Sequence, residues 1–331
     1  MEKANSFKLV LVGDIMLGRL VNEHLKTVPQ NYPWGDTLPI LEQADVRICN
    51  LECVVSDQGR PWSATPKVFH FRSDAKNVEV LKTAQIDGVS LANNHALDYE
   101  YEAMDEMIKL LDKAKIVHAG AGKDQYAASM PAIIQKGRTS VGLISFTDNE
   151  PGWQARKNRP GVFYVPVDIN DRRAQVLFEL VKKIKQRVHF LVVAAHWGGN
   201  WGYEPPAEHL SFARALIDRG ADIIFGHSAH VFRGIEIYRG RPVIYSAGDF
   251  IDDYAVDEIE RNDESFIFIL EIEDGLPKQL RLHPTIIDNF QAKLAGSRSP
   301  TIAHKMQKLC EAFAAQSVWH ERQEFLEIPI S

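Results

Sequence analysis

Two imidazoles three residues apart, His227 and His230 in Gly226-His227-Ser228-Ala229-His230, directly follow the apolar run Ala221-Asp222-Ile223-Ile224-Phe225. Such a run, rich in β-branched residues, reads as a buried strand, and two histidines just past its end can turn into one cavity. Neutral imidazole ligates zinc, iron, manganese and their neighbours. The same device recurs along the chain. Residues 7–13 stop at Asp14, 45–51 at Glu52, 88–92 at Asn93-Asn94-His95, and 190–195 at His196. In open α/β sheets ligands gather outside the carboxyl ends of the strands. Five such ends would therefore bring Asp, Glu, Asn and three or four His side chains together along one edge of a sheet. A strand that merely emerges into solvent need not end on a cation ligand.

The elements that must position these ends alternate strand and helix for most of the chain. Helices are expected near 18–27, 38–41, 75–85, 100–113, 172–186 and 207–219, interleaved with the strands above and with one at 115–118. Met104, Met107, Ile108 and Leu111 fall on one helical face and read as core. Residues 133–134 and 140–146 read as a hairpin turned at Lys136-Gly137-Arg138. After residue 234 the pattern becomes strand-rich, with strands at 234–238, 242–246, 265–272 and 279–287 and a turn at Gly240. Together these elements imply two sheets packed face to face with helices outside. Residues 54–73 form an irregular stretch long enough to be a functional loop, carrying Arg60, Arg72, Trp62, Phe69 and Phe71. Gly120-Ala121-Gly122-Lys123 lacks the full spacing of a phosphate-binding loop. Residues 302–313 read as an amphipathic helix.

Composition bounds the function. The 331 residues are 45% hydrophobic and 25% charged, ample for a core, and the net charge of −6 provides no basic footprint for nucleic acid or anionic membrane. No apolar run reaches the roughly 18–20 residues that cross a bilayer. Residues 1–6 lead into the first strand without a signal-peptide core, so a cytoplasmic location is expected. Cys49, Cys53 and Cys310 read as small buried hydrophobes.

The motifs carry a resemblance. Residues 13–19 (Gly-Asp-Ile-Met-Leu-Gly-Arg), Asn50-Leu51-Glu52, 91–99 (Leu-Ala-Asn-Asn-His-Ala-Leu-Asp-Tyr), His196-Trp197-Gly198, 226–230 and 245–250 (Tyr-Ser-Ala-Gly-Asp-Phe) are similar to the CapA family of poly-γ-glutamate capsule synthesis proteins. That family is a branch of the calcineurin-like metallophosphoesterase superfamily. The resemblance implies an α/β fold, a four-layer α/β/β/α sandwich with two mixed sheets. It implies a single domain over 1–331, with a core at about 7–290 and a C-terminal helical tail at about 300–331.

It also implies one or two divalent cations (manganese, iron or zinc), one held by Asp14 and His230, the other by Asn94, His196 and His227, with Glu52 between them. Two such ions would lower the pKa of a bridging water and create hydroxide as nucleophile. His95 would protonate the leaving group, and Arg19 and Arg72 would grip a carboxylate or phosphate. The expected activity is hydrolysis of a phosphoester or related bond in an anionic substrate, small or polymeric. The alternative is a noncatalytic accessory protein that binds poly-γ-glutamate in a synthesis complex. Met16 stands where the superfamily has a ligating histidine, which removes one ligand from the first ion. Trp197, Trp201, Tyr203 and the 54–73 loop are candidates to line a binding groove. Capsule-associated members carry a membrane anchor, which these residues lack, so a substrate other than exported capsule is expected.

Overall fold

The computed structural model describes residues 6–330, and the expected lead of residues 1–5 into the first strand lies outside them. Alternation along the central strands decides the layers. In Ser6–Ile15, Leu9 and Leu11 enter one core while Val10 and Val12 enter another. Phe190–His196 behaves the same way: Phe190, Val192 and Ala194 face inward, and Leu191, Val193 and Ala195 face outward. A strand apolar on both faces must be covered on both faces. The result is four layers.

The larger sheet runs in the order 318–320, 325–329, 276–288, 264–273, 6–15, 46–51, 88–90, 117–119. Ser6–Ile15 pairs parallel with Val46–Leu51 and antiparallel with Glu264–Glu273, so this sheet is mixed. The smaller sheet runs 235–238, 241–244, 223–227, 190–196, 139–147, 132–136, and it too mixes parallel and antiparallel pairs. The inner core between the sheets holds Leu11, Ile48, Val192 and Phe225. The outer face of the larger sheet is covered by the segments around residues 19–24, 38–41, 78–83 and 100–114, and that of the smaller by Arg172–Lys185 and Ala207–Asp218. The four-layer sandwich expected from the motifs is therefore the fold.

Glu100–Ala114 buries Met104, Met107 and Leu111 as its periodicity demands, with Ile108 packed at the margin. The three cysteines are buried thiols. Beyond residue 300 the structure departs from a helical tail. Ser299–Glu311 is helical, but Val318–His320 and Phe325–Pro329 are strands that extend the larger sheet. Among the described residues no helix is long and apolar enough to cross a membrane.

Candidate metal centre

Asp14, Glu52 and Asn94 come from the larger sheet and the loops after its strands, whereas His196 and His227 end strands of the smaller one. The site thus lies where two sheets face each other, and not along one edge of a single sheet as the strand-end pattern suggested. Register sets the first contacts. His196 is directly opposite His227, and Asp14 is opposite both Asn50 and Asp249. Gly13 makes this possible by slipping the register between Val12 and Asp14. A Cβ there would stand 1.8 Å from the Gly248 carbonyl oxygen, so only glycine lets the strands at 6–15 and 249–251 close up.

Two overlapping groups result. Ligand atoms of Asp14, His196 and His227 lie within 4.8 Å of one another, as do those of Asp14, Glu52, His230 and Asp249. Glu52 Oε1 is 3.9 Å from His196 Nε2, and Asp14 Oδ1 is 4.0 Å from His227 Nδ1. Asp14, expected beside one cation only, therefore reaches both groups. Asn50 donates to Asp14 Oδ1 at 2.8 Å, and Asn93 donates to Asn50 Oδ1 at 3.0 Å, a relay that fixes the carboxylate. The His196 and His227 Nδ1 atoms are 2.9 Å apart, so one ring donates to the other.

The electrostatics fit a cation. Burial, then the Asp14 and Asp249 carboxylates, push Glu52 well above the usual carboxylate range. Asp249 is pushed well up by burial and Asp14, and Asp252 by burial and Asp249. Burial likewise pushes His196 well down and His227 to about 3, which keeps both imidazoles neutral, the form that ligates a cation. Among the described residues, both Glu52 carboxylate oxygens, Asn94 Oδ1, His196 Nε2 and Asp249 Oδ2 are buried without a hydrogen-bond partner. Each such atom costs about 1–3 kcal/mol if left unsatisfied. Carboxylate oxygens, an amide oxygen and neutral imidazoles are a donor set suited to manganese, iron or zinc.

Several residues are placed differently from the sequence reading. Met16 is fully buried, its sulfur accepting from the Gly18 amide at 3.1 Å. The group around Asp14 nevertheless keeps four members, because Asp249 takes part; its Oδ1 lies 2.9 Å from His230 Nδ1. Asp249 was missed although it follows an apolar run and a glycine, as Asp14 does.

His95 lines the adjoining cavity, and its Nδ1 lies 2.5 Å from Asp98 Oδ2. Asp98 was also missed; it accepts from the Phe71 amide at 2.7 Å and pairs with Lys67 at 3.3 Å. Arg19 lines the same cavity, paired with Asp253 at 3.2 Å. Arg72 does not join it: its guanidinium donates to the Gln58 and Gly59 carbonyls and lies 4.3 Å from the Tyr99 ring centre. Trp201 lines the cavity, whereas Trp197 is buried, donating to the Tyr245 carbonyl, and the Tyr203 hydroxyl donates to the Glu260 carbonyl.

Residues 8–254 match the family described as bacterial capsule synthesis protein PGA_cap. A "Probable polyglutamine synthesis accessory protein" of Mycobacterium tuberculosis is 35% identical over 255 residues, covering 73% of this chain and 65% of that protein. The "PGA biosynthesis protein CapA" of Bacillus subtilis is 32% identical over 244 residues, covering 73% and 62%. The chain thus spans a little under two thirds of the length of these relatives. Among solved structures, a phosphatase of Mycoplasma pneumoniae superposes with a TM-score of 0.53 at 15% identity, covering 86% of this chain and 95% of that one. That likeness shows a shared phosphoesterase-type fold.

Proposed function

Since this chain belongs to the bacterial capsule synthesis protein PGA_cap family and has a metallophosphoesterase-like fold, we propose that it is a metal-dependent hydrolase of an anionic ester. The observation that supports this most is the convergence of partnerless buried ligand atoms on Asn94, Glu52, His196 and Asp249. Asn94, His196 and His227 would hold one cation and Asp14, His230 and Asp249 the other, with Glu52 between them. Bound there, divalent cations neutralise the anionic oxygens of the substrate and bring a water's pKa toward neutrality.

The chain's own side chains do the rest. His95 stands at the cavity with Nδ1 turned to Asp98, which fixes the ring and leaves Nε2 to exchange a proton with the leaving oxygen. The Phe71 ring stacks on His95 with centroids 4.0 Å apart, restricting it further. Lys67, which donates to the Asn94 carbonyl at 2.7 Å, ties the candidate ligand to the Asp98 pair. Arg19 faces the anion from the cavity wall.

The relatives' names favour a second reading, an accessory role in polymer synthesis without turnover. One experiment separates the two. Purified protein supplied with manganese should hydrolyse an aryl phosphate. Full manganese binding with no hydrolysis of aryl phosphate mono- or diesters would favour the accessory role.

A further inference from the structure

Beside the candidate centre lies a cavity of about 520 Å³ whose chemistry narrows the substrate. Asn94, His95 and His230 stand on its catalytic side, while Val68, Phe69 and Trp201 lie at its exposed margin. Phe69 is 57% and Trp201 40% exposed although each has a ring neighbour on one side, Phe71 at 6.3 Å and His230 at 5.9 Å between ring centres, so each leaves apolar surface open to the cavity. Cations are few. Lys67 is nearly buried and engaged by Asp98, Glu150 and the Asn94 carbonyl. Arg19 is the cationic side chain that stays part-exposed at the wall, its guanidinium 5.6–6.0 Å from the ring centres of Phe69, Phe71 and Tyr254.

The backbone here is held in costly conformations. Arg19 (φ 51°), Glu150 (φ 51°), Trp201 (φ 72°) and His230 (φ 59°), all cavity residues, are in the left-handed region. Such conformations persist only where surrounding contacts enforce them. At Trp201 the contacts are visible: its amide donates to the Ala229 carbonyl at 2.9 Å, and its carbonyl accepts from buried Arg233 at 3.0 Å. The exposed indole is therefore presented on a fixed backbone, ready for a partner.

Resting on the hydrolase reading above, we propose that this cavity is a specificity pocket for a flat apolar group on a compact anionic ester. The ester's anionic end meets the candidate centre and Arg19, and its flat group lies against Phe69 and Trp201. A polyanion with a carboxylate on every residue finds one part-exposed guanidinium and the Glu150 carboxylate, a poor match in charge.

Phenylphosphonate and methylphosphonate, which cannot turn over, test this on the manganese-loaded protein by calorimetric titration. Phenylphosphonate should bind about tenfold more tightly, in keeping with the worth of aromatic contacts. Trp201→Ala and Phe69→Leu should each shrink that preference at least threefold, with manganese content and thermal midpoint unchanged. Poly-γ-glutamate at equal carboxylate concentration should not displace phenylphosphonate. Equal affinities in a protein that retains manganese and binds both phosphonates would overturn the pocket alone, as would displacement by poly-γ-glutamate. Failure to retain manganese would overturn the hydrolase reading, and the pocket with it.

Discussion

Among single residues, Met16 and Asp249 exchange the roles their sequence positions suggest. Met16 occupies the position of an expected ligand but lies in the core, whereas Asp249 stands 2.9 Å from His230, its carboxylate buried beside Asp252. Met16→Leu is nearly volume-conserving and should leave metal content unchanged, at a stability cost below about 1.5 kcal/mol. A loss of bound manganese in that variant, read by elemental analysis, would return Met16 to the site. His95 carries the catalytic claim. Replacing it with Asn removes the proton-exchanging nitrogen while sparing every candidate ligand, so turnover of an aryl phosphate should fall about a hundredfold or more with metal content intact. The loss should shrink for leaving groups too acidic to need a proton. A uniform loss across leaving groups would make His95 a positioning residue.

Elements explain what the sequence showed and what it hid. The long central strands announced themselves because both their faces are apolar, and Asp14, Glu52, His196 and His227 stood out because each closes such a run. Asp249 did not, because its strand is only Asp249–Ile251 and its pairing with Ser6–Ile15 is set by tertiary register. Val318–His320 and Phe325–Pro329 were hidden for a related reason: they are short and stabilised by joining a sheet begun far away. That the candidate site spans two sheets was likewise illegible, since strand ends carry no record of which sheet they join. Gly13 is the junction most open to test. A Cβ meets the Gly248 carbonyl at 1.8 Å, a backbone atom that cannot rotate aside, so Gly13→Ala should cost about 3 kcal/mol in urea unfolding and reduce metal binding. Gly152→Ala, where nothing lies within 4 Å, should change stability by less than about 0.5 kcal/mol. Similar costs at both positions would argue against close approach as the reason for glycine at 13.

Across the whole molecule, buried imidazoles tie folding to pH. Burial, and secondarily Arg233, pushes His209 down to about 4 where it stacks on Trp197, and burial with Arg281 does the same to His283. Between pH 6.5 and about 4 the unfolded chain binds protons at these rings that the folded chain does not. Their contribution to stability is therefore present above about 6.5 and is lost as pH falls toward 4. Asp148, pushed up to about 6 by burial, acts in the opposite sense over part of this range. Thermal midpoints of chelator-treated protein should thus decline less steeply between pH 6.5 and 4 in the His209→Phe/His283→Phe double variant than in wild type. Parallel declines would assign acid sensitivity to other groups.

The larger claim is that two facing sheets assemble one centre from two overlapping sets of ligands. Its most direct measurement is the manganese-to-protein ratio of loaded, desalted protein, compared among wild type, His227→Ala and Asp249→Asn. About two ions per wild-type chain and about one in each variant are expected, because each substitution spares the other set. An identical ratio in all three proteins would contradict it.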